Sequence, residues 1–267
     1  MLCGMDEEQV YSRHADGSAG DADYGVIGAS YAHYRQPDPY IAEFILKALG
    51  EAKTVLNVGA GAGSYEPVDR DVTAVEPSAS MRSQRAAGLP AAIDATAERL
   101  PFADNSFDAS MATFTVHQWS DLKAGLREMR RVSRGPVLIL SCDPAELERS
   151  WLYEYAPEMI AVEARRYPAT DVVKAALGGT TEVLTVPIPL HCIDGFSEAY
   201  YGRPECLLDP GARLANSAWS FTNQGIIERF VNKLTRDLND GTWDSRYGKY
   251  RSQAFFEGSL RLIIARA

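Results

Sequence analysis

Residues 54–66 read TVLNVGAGAGSYE, a short apolar run that breaks into three alternating glycines, Gly59, Gly61 and Gly63. The run TVLNV suits a buried strand, and a glycine loop directly after a strand lets the backbone come close to a ligand. The spacing G-x-G-x-G departs from the G-x-G-x-x-G of pyrophosphate-binding turns, where the third glycine falls one position later so that helix and strand can meet. Amides of so bare a loop suit a carboxylate or a ribose. A second apolar run, VTAVE (72–76), ends in Glu76. A carboxylate at the carboxyl end of a second strand can accept both hydroxyls of a ribose, and its charge opposes a 2′-phosphate, so NADP is disfavoured. A plain tight turn is the alternative for the glycines alone; Glu76 in register weighs against it.

Outward from this loop, apolar and helix-like stretches alternate. AAID (91–94), FDASMATF (107–114) and VLILSC (137–142) read as strands, while 79–88 and 121–131 carry helical spacing. Such β-α-β repetition predicts a layered α/β sheet with right-handed crossovers. Upstream, PDPYIAEFILKALG (37–50) predicts a helix: Asp38 caps it, Pro39 suits its first position, Ile41, Phe44, Ile45, Ala48 and Leu49 share a face, and Gly50 stops it. Residues 1–23, with the acidic DGSAGDAD, read as a flexible arm. Downstream, 144–160 and 169–178 look helical, and TEVLTVPIPLHC (181–192) and SLRLIIARA (259–267) look like strands. The connection between those two far exceeds the usual ~4 to 6 residues. Within it Ile226, Ile227, Phe230, Val231, Leu234 and Leu238 recur at helical intervals. The organisation predicted is a core of 24–192 and 258–267, with 193–257 inserted as a helical lid.

The chain has 267 residues, 46% hydrophobic and 24% charged, which suits one globular unit and excludes disorder or a disulfide scaffold. A net charge of −9 disfavours nucleic acid and anionic membranes as partners. Cys3, Cys142, Cys192 and Cys206 are scattered without a C-x-x-C pair, so no metal site is expected. An acidic amino terminus and the lack of a long apolar run place the protein in the cytoplasm. Composition leaves monomer or homodimer open.

NVGAGAG, AVEPSASM (74–81) and ATAERLPFADNSFDASMATFTVHQW (95–119) together resemble the class I S-adenosylmethionine-dependent methyltransferases, in the branch like the ubiquinone/menaquinone C-methyltransferases. The resemblance covers 57–142. It implies a Rossmann-like, seven-stranded, mostly parallel sheet whose last strand is antiparallel, and S-adenosylmethionine as cofactor. It implies further that the loop Asn57, Gly59, Ala60, Gly61 and Gly63 holds the methionine part, that Glu76 holds the ribose, and that Ala97 and Glu98 lie along the adenine. Pro77, Met81 and Phe114 complete the implied site. SYAHYRQPDP (30–39) is similar to a segment that closes over the cofactor in many members, with Tyr31 and Arg35 at the matching positions; a guanidinium could pair with the cofactor's carboxylate, or stay solvated at the helix start. The chain departs from the family pattern where Asn57 replaces an acid, where Thr96 replaces an aspartate, and where Pro67 leaves room for only a short helix after the loop.

Methyl transfer is an in-line displacement that proximity largely drives, but a hydroxyl or acidic carbon acceptor must also lose a proton. His117, in FTVHQW where the fourth strand ends, is the candidate base; a packing role is the alternative. The function expected is methylation of a small-molecule acceptor at carbon or oxygen. The competing readings are an enzyme acting on RNA or protein, and a cofactor-binding protein that transfers no methyl group.

Overall fold

A computed structural model describes residue 15 and residues 22–27 and 31–266. The arm expected at 1–23 falls almost wholly outside the described residues. Six strands form the main sheet: β1 (Thr54–Val58), β2 (Asp71–Val75), β3 (Ala109–Thr113), β4 (Val137–Cys142), β5 (Thr180–Thr185) and β8 (Leu260–Arg266), in the order β2-β1-β3-β4-β8-β5. β1 runs parallel to β2 and β3, β3 runs parallel to β4, and β8 is antiparallel to both β4 and β5. β3 and β4 are buried along their whole length, as strands covered on both faces must be.

Helices supply those covers. α1 (Tyr24–Ile27) and α2 (Tyr31–Tyr34) precede α3 (Pro39–Leu49), in which the Asp38 side chain accepts from the amides of Tyr40 and Ile41 and Ile41, Ile45, Ala48 and Leu49 turn inward. α4 (Ala79–Ser83) follows β2, and α5 (Leu122–Val132) follows β3, with Asp121 capping the Ala124 amide. After β4 come α6 (Leu152–Tyr155), α7 (Pro157–Arg166) and α8 (Thr170–Leu177). One apolar cluster, with Leu126, Met129, Val132 and Val173, fills the α5 and α8 face; the other, with Ile41 and Ile45, fills the α3 face.

Six expectations are corrected. AAID contributes only a bridge, Ile93 to Val75, because Pro90 supplies no donor and Ile93 sits at the sheet edge, 40% exposed. The sheet therefore has six strands in place of seven. No helix separates β1 from β2: the backbone turns through Gly61, Gly63 and Tyr65 at positive φ and meets Pro67 before a helical turn can start. The helix expected over 79–88 ends at Ser83. The strand expected over 181–192 breaks after Thr185, since Pro187 cannot donate, and the helix expected over 144–160 breaks into a 3-10 turn (Pro144–Arg149), α6 and α7, the last opening at Pro157.

Past that break, β6 (Ile188–Pro189) pairs with β7 (Phe255–Phe256), and the Leu190 amide donates to the Ala254 carbonyl. Everything from 191 to 253 thus leaves and returns at one two-stranded stem. The intervening chain holds α9 (Pro210–Leu214), α10 (Gln224–Asn239) and α11 (Thr242–Tyr247) with 3-10 turns between them. Phe230, Leu234 and Trp243 from this segment share one apolar cluster with Leu138, Leu140, Leu260 and Leu262 of the sheet. Truncating the fully buried Phe230 to alanine should therefore cost about 3–5 kcal/mol and shift one cooperative urea transition. A second, separate transition for the segment would contradict a shared core.

Candidate active site

The carboxyl ends of β1, β2 and β3 open onto a cleft. Gly59 and Gly63 make its floor possible. Gly59 has φ +67°, and a Cβ there would lie 2.1 Å from Thr115 Oγ1; at Gly63, φ +104°, it would lie 2.2 Å from Leu89 Cδ1. At Gly59 the Thr115 Cβ also lies 2.9 Å away, which leaves no room for a side chain, and at Gly63 the positive φ disfavours one. Glu76 is buried beside the loop, its Oε2 accepting from the Gly61 amide at 2.8 Å and its Oε1 from the Ser78 amide at 2.8 Å. Two backbone amides thus orient the carboxylate at the edge of the cleft. The Ala60 amide donates to the Val75 carbonyl and the Gly63 amide to the Ala60 carbonyl, so with Gly61 three loop donors are spent inside the protein. The loop's service to a ligand lies more in the space it leaves than in those donors.

Of the residues singled out in the sequence, Tyr31, Gly59, Ala60, Gly61, Glu76, Pro77, Met81, Ala97, Glu98 and Phe114 line this cleft. Gly63 shapes the loop from below. Asn57, wholly buried, does not line the cleft: its Nδ2 donates to Glu66 Oε1 at 3.1 Å, and Glu66 pairs with Arg85 at 2.8 Å. Glu98 accepts from the Ser120 hydroxyl and the Asp121 amide, which ties it to the start of α5. Tyr24, Ala62, Ser64, Thr113, Thr115, Gln118 and Trp119 also line the cleft and were not singled out. Gln118 and Trp119 stand beside His117 in a motif already marked; nothing local distinguishes Tyr24.

Behind Tyr24, Tyr31 and Phe114 lies a second, smaller cavity, which shares those three side chains with the first. His117, Arg35, Glu163, Arg166 and Tyr167 line it, with Ala215, Asn216, Ser217 and Ala218 from the inserted segment. His117 belongs to this cavity and not to the cleft. Its ring packs 4.5 Å from that of Tyr167, and loss of water, with the Arg166 and Arg35 charges, holds its pKa well below the usual imidazole value. The ring is neutral at physiological pH. Phe114, at φ +52°, is a bulky residue in the left-handed region, held there by the Phe196 ring at 5.1 Å and the Arg35 guanidinium 4.9 Å over its own.

Arg35 takes a different part from the one expected of it. Its Nε donates to Asp194 Oδ1 at 2.5 Å, both side chains nearly buried, and it borders the second cavity. Burial opposes the charge on Arg35, and the facing Asp194 carboxylate outweighs it, so the guanidinium pKa rises well above normal. The other Asp194 oxygen accepts from the Tyr65 hydroxyl at 2.8 Å. One carboxylate thus ties the segment before α3, the exit of the glycine loop and the start of the inserted segment.

Glu163, on α7, is 6% exposed, and its Oε2 has no hydrogen-bond partner. Burial first, then the Glu198 carboxylate, pushes its pKa up to about 7. Among the described residues, no three His, Cys, Asp or Glu side chains converge as a metal site, and no helix is long and apolar enough to cross a membrane.

Residues 56–140 match the family of the methyltransferase domain. The chain is 34% identical over 145 residues to a malonyl-[acyl-carrier protein] O-methyltransferase of Pseudescherichia vulneris, a match that covers 49% of this chain and 57% of that protein. It is 31% identical over 115 residues to an uncharacterised methyltransferase, YcgJ, of Bacillus subtilis, covering 39% and 42%. The chain therefore spans about half the length of the curated relatives it matches. A solved structure from Anabaena variabilis, provisionally named as a methyltransferase from an antibiotic biosynthesis pathway, superposes with a TM-score of 0.81 at 30% identity over 87% of this chain and 98% of that one.

Two outcomes are expected of this geometry. Asp194→Ala strands the Arg35 charge and should cost about 3–5 kcal/mol in urea unfolding, whereas Asp194→Asn should cost less. For Glu163, the folded chain keeps a proton that the unfolded chain has lost between the ordinary 4.5 and about 7, so stability falls as pH rises through that window. Glu163→Gln should accordingly melt higher than wild type above pH ~7, by on the order of 3 kcal/mol at most, and close to it at pH ~4. Parallel melting curves at both pH values would refute the assignment.

Proposed function

The chain belongs to the class I S-adenosylmethionine-dependent methyltransferases, and from that premise we propose that it methylates a small molecule held in the cavity behind Tyr24, Tyr31 and Phe114. The observation that carries this reading is the meeting of two cavities at those three side chains, one with the glycine loop and Glu76, the other polar and partly enclosed. The cleft fits S-adenosylmethionine on its own features: a floor at Gly59 where no Cβ is admitted, a carboxylate held in place by two backbone amides, and walls from Met81, Ala97 and Trp119. When bound, the cofactor supplies a methyl group on a positively charged sulfur. Glu76 accepts the ribose hydroxyls, Ala97 and Glu98 flank the adenine, and Gly59 to Gly61 admit the methionine part. Tyr31 closes the cleft.

The inserted segment 193–257 acts as the lid, since its Ala215 to Ala218 form one wall of the second cavity. His117 lines the same cavity with a neutral ring, able to accept a hydrogen bond from the acceptor, either as its base or as a partner that orients it. The net charge of −9 supports a small molecule over RNA, and the named O-methyltransferase relative supports oxygen beside carbon as the atom methylated.

Calorimetry with S-adenosylmethionine and its demethylated product tests the cleft. Glu76→Ala should weaken binding by ~1.5–3 kcal/mol; tighter binding of NAD, or none of either ligand, would overturn the assignment. His117→Ala should leave cofactor affinity nearly intact and slow turnover on a panel of phenols, carboxylates and activated carbons, by up to ~10² to 10⁴-fold if the ring itself takes the proton. With its pKa held so low, the acid limb belonging to His117 lies well below pH 6.5. A lowered melting temperature with unchanged turnover would reduce the ring to a packing partner of Tyr167.

A further inference from the structure

We propose that Glu163 is a catalytic residue that receives the acceptor's proton, and that the acceptor is a neutral molecule presenting a hydroxyl to this carboxyl in the second cavity. The inference rests on the methyltransferase reading above and names the substrate class for the same site. Glu163 borders the cavity from α7, is 6% exposed, and has one carboxyl oxygen without a partner in the folded protein. A buried carboxyl oxygen left unbonded is costly, and a ligand hydroxyl is the donor that would satisfy it.

The surroundings select against charged acceptors. Arg35 is answered by Asp194, and Arg166 stands three positions from Glu163 on the same helix. Glu198 lies near enough to raise the pKa of Glu163, Ser197 hydrogen-bonds it, and its charge is felt at Cys142 and Tyr167. His117, Tyr24 and Tyr31 complete the titratable wall. An ammonium would meet the Arg166 guanidinium, and a carboxylate would meet ionised Glu163 and has no proton to give. A hydroxyl fits both demands. In the step itself, the hydroxyl oxygen bonds the methyl carbon as the bond from that carbon to sulfur breaks, the electron pair remaining on sulfur, and the O–H proton passes to the Glu163 carboxylate.

A pKa raised to about 7 leaves this carboxylate a stronger base than an exposed glutamate, ready to accept a proton just above neutrality. His117 is then a neighbour that can hydrogen-bond the acceptor without titrating in the same range.

The test needs no identified substrate. Protein loaded with S-adenosylhomocysteine is titrated calorimetrically with phenol and with benzoate at about pH 5.5 and about pH 8, as wild type, Glu163→Gln, Glu163→Ala and His117→Ala. Wild type should bind phenol roughly tenfold more tightly at the higher pH, and benzoate less tightly. Both pH effects should vanish in the Glu163 variants and persist in His117→Ala. S-adenosylhomocysteine affinity should be unchanged in Glu163→Gln, which reports an intact fold. Failure of wild type to bind S-adenosylhomocysteine would bring down the methyltransferase reading itself. Normal S-adenosylhomocysteine binding with no phenol binding, with phenol affinity independent of pH, or with the same pH effect in Glu163→Gln, would overturn the role of Glu163 alone.

Discussion

The buried carboxylate of Asp194 is the constraint on which the arrangement of the site depends. Water is almost excluded around it, so neither it nor Arg35 can be charged there alone; each is tolerable only because the other is present. Tyr65 enters the same network from the glycine loop, at φ +58°, and its hydroxyl also accepts from the Asp38 amide, while Asp38 Oδ2 accepts from the Ile193 amide. Three stretches far apart in sequence are thereby fixed at one point. Displacing any of them would leave a charge or a hydroxyl unpaired in a dry place, so they move together or not at all.

From this anchor the two cavities acquire different characters. The cleft at the strand ends is built by backbone: tight glycines, a carboxylate held by amides, and little room to vary. The second cavity is built by side chains from α7, from the loop after β3 and from the inserted segment, and its titratable groups shift one another. Desolvation lowers His117 and raises Glu163, which pushes the two toward opposite protonation at low pH and makes the carboxyl the group that responds near neutrality.

The cleft was legible in the sequence because its chemistry is local. Gly59, Gly61 and Gly63 sit within five residues, Glu76 ends the next strand, and a bare loop after a strand has few uses. The second cavity was largely illegible. Glu163 and Arg166 look like the polar face of an ordinary amphipathic helix, and only tertiary packing, which buries Glu163, sets that carboxyl apart. Asp194 gave no sign either, being one acidic residue among thirty-six Asp and Glu. Arg35 was noticed for its position, but its partner lies 159 residues away, beyond the reach of any local pattern. Where the sequence misled about elements, prolines and glycines were responsible: Pro67 and the left-handed loop prevented a helix, and Pro187 and Pro157 divided runs that periodicity joins.

The stem formed by β6 and β7 gives the inserted segment a single point of departure and return. Loop closure grows only slowly more costly with length, so chain can be added or replaced beyond such a stem while the sheet keeps its register. The wall of the second cavity at Ala215 to Ala218 lies beyond the stem, whereas Gly59 and Glu76 lie before it. The second cavity can thus be relined by exchanging one contiguous stretch of gene, provided that the exchanged piece still begins with an aspartate where Arg35 and Tyr65 can find it.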